Sequence, residues 1–186
     1  MRVIAGKFRS RTLRTLRGMT LRPTSDRLRE TLFNVLGAAV EGSTFVDLFA
    51  GTGAIGIEAL SRGARRVIFV ENHAAAVKLI RENLKSLGIA GEAEILAMDV
   101  IRGLKQFAAR GGRVDFVFMD PPYGRAEEYE RVLEFVDSTR VLAAEGIVIA
   151  EHAKKIELPE EMHSLERTRA LVQGDSALSF YRAVSH

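Results

Sequence analysis

Asp120-Pro121-Pro122-Tyr123 is the stretch whose residue types constrain the chemistry most. Two successive prolines fix φ and force Asp120 and Pro121 into extended geometry. Proline also removes a competing N–H, so carbonyl oxygens join the Asp120 carboxylate as acceptors. Tyr123 adds a ring face. A stiff set of acceptors beside an aromatic ring suits a planar group with an exocyclic NH₂, the ring stacking and the acceptors holding the amine hydrogens. A lone Asp-Pro would mean only a turn. A second cluster runs from Asp47 to Gly56, Asp-Leu-Phe-Ala-Gly-Thr-Gly-Ala-Ile-Gly. Gly51 and Gly53 permit backbone shapes and close ligand approach that side chains block. With Gly56 they spell G-x-G-x-x-G, which a tight strand-to-helix turn would also explain. Free N–H groups at the next helix start favour a negative or polar ligand group. Asp47 separates the ligand readings: a carboxylate there repels a pyrophosphate and suits a cationic ammonium. Glu71 closes a strand-like run, where an acid can accept both hydroxyls of a ribose or merely sit on the surface. Asp99 follows another such run and can cap a helix.

These residues need a sheet to position them. Short apolar runs at 44–49, 66–70, 114–119 and 146–150, and a weaker one at 93–97, read as buried strands. Helical stretches at 54–62, 73–87, 100–109 and 126–140 alternate with them. That alternation predicts a parallel sheet covered by helices on both faces, with ligands at the carboxyl ends of its strands. Residues 164–172 and 177–184 flank Gly174-Asp175-Ser176 and predict a terminal β-hairpin, adding an antiparallel element at one sheet edge. Ahead of the sheet, 2–6 and 10–16 alternate about Gly6-Lys7 as a small hairpin. Leu28, Leu32, Val35 and Leu36 then form one stripe of a helix over about 25–39, capped by Thr24 or Ser25.

The chain has 186 residues, 47% of them hydrophobic and 27% charged, enough for one sizeable core and unlike a disordered tail. No apolar run approaches the roughly 18–20 residues of a membrane span. Cys is absent, which excludes disulfides, a thiolate nucleophile and Cys-based zinc; four scattered His argue against a His-based metal cluster. The net charge of +3 hides an asymmetry. Of 27 Lys and Arg, seven fall within residues 1–25, with no Asp or Glu among them, so the remainder is net acidic. Six of the seven are Arg, suited to phosphate and to stacking on bases. Such a leader predicts a polyanion-binding arm, nucleic acid above all.

Residues 47–53, an acid followed by Gly-x-Gly, resemble the first motif of S-adenosylmethionine-binding methyltransferases. Asp120-Pro121-Pro122-Tyr123 resembles the (Asp/Asn/Ser)-Pro-Pro-(Tyr/Phe) motif of the amino-methyltransferases in that seven-stranded superfamily. Arg22-Pro23-Thr24-Ser25-Asp26-Arg27-Leu28-Arg29-Glu30-Thr31-Leu32-Phe33-Asn34, the leading Ile4-Ala5-Gly6-Lys7-Phe8-Arg9-Ser10-Arg11 and the segment Asp47 to Leu60 narrow this. Together they resemble the bacterial 16S ribosomal RNA guanine-N2 methyltransferases of the RsmD type, over nearly the whole chain. Phe8 departs from the Trp expected in many relatives.

The resemblance implies an α/β fold: a Rossmann-like seven-stranded sheet with an antiparallel C-terminal hairpin, behind a small N-terminal β-hairpin and helix. It divides the chain into a basic RNA-binding extension, 1–40, and a methyltransferase domain, 41–186. The implied reaction moves a methyl group from S-adenosylmethionine to the N2 amine of a specific guanine in 16S ribosomal RNA, leaving S-adenosylhomocysteine and needing no metal. The implied cofactor residues are Asp47, Phe49, Ala50, Gly51, Gly53, Glu71 and Asp99, the last reaching the adenine amino group. The implied catalytic residues are Asp120, Pro121, Pro122 and Tyr123. RNA contacts are expected from Lys7, Arg9, Arg11, Arg14, Arg22 and Arg27, while Arg29 and Glu30 can equally be an exposed helix face. The expected setting is a cytoplasmic monomer, off the membrane, acting on a partly or fully assembled small ribosomal subunit. Three other readings compete. A nicotinamide oxidoreductase shares the glycine turn but leaves Asp47 and the Asp-Pro-Pro-Tyr motif unexplained. A catalytically silent RNA-binding assembly protein needs the arm but not Asp120. An adenine-N6 enzyme acting on DNA or RNA shares the catalytic motif; the DNA enzymes normally need a recognition domain that 40 residues cannot supply.

Overall fold

A computed structural model describes residues 1–15 and 25–184. Seven strands, β1 (Thr44–Leu48), β2 (Arg66–Val70), β3 (Ala93–Leu96), β4 (Val114–Met119), β5 (Leu142–Ala153), β6 (Leu165–Gln173) and β7 (Ser176–Ala183), form one sheet in the order β3-β2-β1-β4-β5-β7-β6. β1 to β5 pair in parallel, and β7 lies antiparallel between β5 and β6. This is the doubly wound sheet and C-terminal hairpin that the apolar runs predict. The helices are α1 (Asp26–Leu36), α2 (Ala54–Ser61), α3 (Ala74–Leu87), α4 (Val100–Ala109) and α5 (Glu127–Asp137).

Strand alternation divides the core between two faces. Phe45, Phe116, Phe118 and Ile149 join Leu28, Leu32, Ile57 and Ile80 under α1, α2 and α3. Val46, Leu48, Val117 and Met119 join Leu104, Phe107, Val132 and Leu133 under α4 and α5. Phe33 of α1 stacks on Phe45, whose ring packs in turn against Phe116. The Ser25 hydroxyl caps α1, accepting from Leu28 N–H at 3.1 Å.

Three expectations change. The stripe predicted over 25–39 ends at Leu36, and Gly37–Val40 tightens into a 3-10 turn. β5 is longer than the run 146–150 at both ends: Leu142 pairs with Val114 of β4 ahead of a bulge, and Glu151, His152 and Ala153 gain antiparallel partners in β7. The N-terminal segment folds back on itself, but as a single bridge between Arg2 and Thr12 rather than two strands. Its backbone has other partners: Ile4 and Ala5 donate to the Glu58 carboxylate at 2.8 and 3.0 Å. Lys7 N–H reaches the Ser61 carbonyl at 2.7 Å. The approach is close enough that a Cβ on Gly6 would lie 1.8 Å from the Ser61 carbonyl oxygen. Val3 and Leu13 are buried in the same cluster as Phe45, so residues 1–15 pack into the core of the sheet. No helix among the described residues is long and apolar enough to cross a membrane.

Candidate active site

Four strands deliver an acid to the same edge of the sheet. Asp47 is the penultimate residue of β1, Glu71 follows β2, Asp99 lies shortly after β3, and Asp120 follows β4. β1 and β4 are neighbours, and connections leave them towards opposite sides of the sheet, which opens a crevice there.

The turn after β1 is left-handed at three places: φ is 56° at Phe49, 54° at Gly51 and 76° at Gly53. Phe49 has a Cβ and is strained there, as residues at ligand sites often are. Gly53 N–H closes the turn onto the Ala50 carbonyl at 2.7 Å. The Glu71 carboxylate braces it, one oxygen accepting from Gly51 N–H at 2.9 Å and the other from His73 N–H at 2.8 Å. Gly56 answers to packing: a Cβ there would meet the Phe69 ring at 2.3 Å, so α2 can lie on β2 only with glycine.

Asp47 points towards α2 and accepts from Gly56 N–H at 2.9 Å. It is buried, and desolvation lifts its carboxyl to about 8 against the pull of that hydrogen bond, with the charge of Glu71 adding to the rise. Burial pushes Asp120 well above the usual carboxylate range too, followed by the nearby charges of Glu151 and Asp47. This edge gathers acids that burial keeps towards the neutral form, and a ligand bearing a sulfonium and an ammonium supplies the positive charge that favours their ionisation. The left-handed turn and the two carboxylates flanking it suit that group. Among the described residues, no three His, Cys, Asp or Glu side chains are grouped to hold a metal.

Asp99 caps α4, one oxygen accepting from Ile101 and Arg102 N–H at 3.0 and 3.3 Å. Pro121 is buried and Pro122 exposed. The Pro122 carbonyl accepts from Arg125 N–H at 3.2 Å and closes the turn, while none of the described backbone hydrogen bonds reaches the Pro121 carbonyl. Tyr123 is 69% exposed, its ring standing out from the edge.

The basic residues separate into two groups. Lys7, Arg9 and Arg27 are exposed, with the Lys7 ammonium 5.2 Å from the centre of the Phe8 ring. Arg11 and Arg14 are exposed as well but hold partners: Arg11 donates to the Ser86 carbonyl at 3.0 Å, and Arg14 pairs with Glu82 at 3.0 Å. Arg27 lies one turn before Thr31, whose hydroxyl meets Gln173 beside the β6–β7 turn at 3.3 Å; that turn flanks the end of β5. Arg22 lies outside the described residues. Arg29 is no exposed helix face: it is fully buried, donating to the Arg2 carbonyl at 2.6 Å and to Asp26 at 3.0 Å.

Sequence reading missed three residues here. Asn83 of α3 donates to the Thr52 carbonyl at 3.0 Å and to the Arg14 carbonyl at 3.2 Å, tying the glycine turn to the N-terminal segment. Glu58 is buried against that segment; a lone acid in the otherwise uncharged helix 54–61 was the available signal. Glu151 lies beside Asp120 on β5, hidden because polar residues interrupt that strand's apolar run.

A family model described as "Conserved hypothetical protein 95" matches residues 1–182. The chain is 36% identical over 182 residues to YlbH of Bacillus subtilis (strain 168), whose name proposes an rRNA methyltransferase, covering 98% of each. It is 34% identical over 182 residues to "Ribosomal RNA small subunit methyltransferase D" of Escherichia coli (strain K12), covering 98% of this chain and 89% of that one. Among solved structures it is similar to a hypothetical protein of Thermus thermophilus, with TM-score 0.83, 30% identity, and 98% and 99% of the two chains covered.

Proposed function

We propose, from the premise that this chain belongs to the Conserved hypothetical protein 95 family, that it methylates the N2 amine of a guanine in the 16S ribosomal RNA of the small subunit. It is an S-adenosylmethionine-dependent methyltransferase of Rossmann-like fold. The observation that carries the reading of an exocyclic base amine is the Asp120 carboxylate at the end of β4, next to the β1 turn and followed by the stiff Pro-Pro-Tyr segment; the choice of guanine rests on the resemblance of residues 4–34 to the ribosomal guanine-N2 family.

S-adenosylmethionine, when bound, supplies an activated methyl group on a cationic sulfur. Asp47, the Phe49–Gly53 turn and Glu71 hold that ligand, and Asp99 lies within the same edge for its adenine. An exocyclic base nitrogen is a poor nucleophile because its lone pair is delocalised into the ring, so alignment supplies much of the acceleration. Asp120 and the Pro121 carbonyl accept the amine hydrogens and stabilise positive charge that grows on nitrogen during attack. A carboxyl raised above its ordinary range by burial is also a better proton acceptor than a solvated one. Tyr123 stacks on the base once the base has left its own stack. Lys7, Arg9 and Arg27 meet the RNA backbone, and residues 1–40 act as the RNA-binding part beside the 41–186 methyltransferase domain.

Incubation with labelled S-adenosylmethionine and unmethylated small subunits, followed by mass spectrometry of the nucleosides, tests the reading. N2-methylguanosine is the expected product. Label in N6-methyladenosine would overturn the base assignment and keep the methyltransferase.

A further inference from the structure

We infer that Glu151 determines base specificity, accepting the N1–H of guanine while Asp120 accepts its N2 amine; this rests on the guanine reading above. The geometry begins with register. β4 and β5 pair Val117 with Val148, Phe118 with Ile149 and Met119 with Ala150, so the next step sets Asp120 beside Glu151. Both continue the alternation of Phe118 and Ile149, which face α1 to α3, and Asp47 shares that face. Glu151 is only 7% exposed. Its position is fixed on both flanks: Leu178 of β7 pairs with it across the sheet, and the Tyr129 hydroxyl donates to its carbonyl at 2.7 Å. The charge of Glu151 is felt at Asp120, which places the two carboxylates in one local field.

A single carboxylate beside a base amine does not choose between guanine and adenine, since both offer an exocyclic NH₂. The atom next to the amine-bearing carbon does choose. Guanine places N1–H there, a second donor, whereas adenine places a bare N1 lone pair. Two neighbouring carboxylates therefore match guanine, each accepting one charge-assisted hydrogen bond. Against adenine the second carboxylate faces a lone pair.

The test uses a base that keeps the N2 amine and loses the N1 proton. 2-Aminopurine is such a base. Small subunits reconstituted around 16S RNA with guanine or 2-aminopurine at the mapped target are compared for full-length wild type and Glu151→Gln under identical conditions. Wild type is expected to prefer guanine by at least about tenfold in kcat/KM, the order expected of one good base contact. Glu151→Gln, whose amide can turn to donate to a bare N1, brings the ratio to within about threefold. Glu151→Asp keeps the preference with slower turnover. Equal use of both bases by wild type would overturn the inference even if the variants failed to fold. So would a Glu151→Gln enzyme that binds S-adenosylhomocysteine normally and keeps the full preference. Failure of the guanine reading itself looks different: wild type would then make no N2-methylguanosine at all.

Discussion

Glu58 and Asp120 are both carboxylates drawn away from water, and their surroundings are opposite. Glu58 is surrounded by donors. It accepts from Ile4 and Ala5 N–H at 2.8 and 3.0 Å and from Arg62 at 2.9 Å, with the Arg29 guanidinium 4.0 Å away. Asp120 has two further acids, Glu151 and Asp47, as neighbours, and burial together with them disfavours its ionised form. Burying a charge costs free energy unless it is paired and hydrogen-bonded. At Glu58 the fold supplies the partners, and the carboxylate fastens the N-terminal segment to α2. At Asp120 the fold supplies further acids, so the positive charge has to arrive with the ligand and the hydrogen-bond donors with the base. The difference separates a carboxylate that holds the structure from one kept for chemistry.

Glu58→Ala is expected to have the largest effect on stability. It removes the acceptor for two backbone N–H groups and leaves Arg29 buried, with its Nε and Nη1 already lacking hydrogen bonds among the described residues. Breaking a buried pair from one side costs about 3–5 kcal/mol, read as a lowered urea midpoint. Asp120→Ala is expected to do the reverse. Removing an acid whose ionisation burial and acidic neighbours disfavour leaves the midpoint unchanged or raised, while turnover on RNA falls by about 10²–10³-fold, the scale for losing one group that meets developing charge. A Glu58→Ala protein as stable as Asp120→Ala would erase the distinction.

The next effect is a pH dependence. Asp47 has an ordinary value of 3.8 in the unfolded chain and about 8 in the folded one. Between these values the folded protein holds a proton that the unfolded chain has released, so stability falls as pH rises through that window. Asp120 acts in the same sense. Thermal melts of the ligand-free protein should therefore drop in Tm from pH about 4 to about 8. Asp47→Asn, which keeps an amide oxygen for Gly56 N–H, should remove its share of the slope. S-adenosylmethionine should flatten the slope too, because its cation favours the ionised acid. A Tm that rises across the window would contradict the burial of charge at this edge.

Those two kinds of acid also mark what could be read in advance. The sheet was legible because its strands are short apolar runs separated by helical periods, and the ligand edge because glycines and acids fall where those runs stop. The Asp-Pro-Pro-Tyr segment was legible because proline restricts the backbone whatever surrounds it. Glu58 and Arg29 were not: a Glu in one helix and an Arg in another carry no local mark of a tertiary pairing. The full extent of β5 was obscured for a similar reason, since Glu151 and His152 are buried through their pairing with β7 and not through apolar character. Asp99 was ambiguous as a cap or a ligand group, and the structure shows it capping α4.

The smallest expected effect concerns the arm, where the same contrast recurs among cations. Arg14 is paired with Glu82, whereas Arg9 is exposed with no ion pair among the described residues. If both touched RNA, Arg14 would first have to give up its acid, and the net release of counterions on binding would be smaller. Each phosphate contact contributes about 0.7–0.9 to the slope of log affinity against log salt. Arg9→Ala should flatten the slope by about one such step, and Arg14→Ala by clearly less. The measurement is RNA binding at several salt concentrations, with S-adenosylhomocysteine binding as a check that the core is intact. Equal flattening by the two variants would mean that the Arg14–Glu82 pair opens when RNA arrives, making the arm's charge available on contact instead of fixed beforehand. No flattening by Arg9→Ala would remove that residue from the interface and leave Lys7 and Arg27 as the exposed cations to carry it.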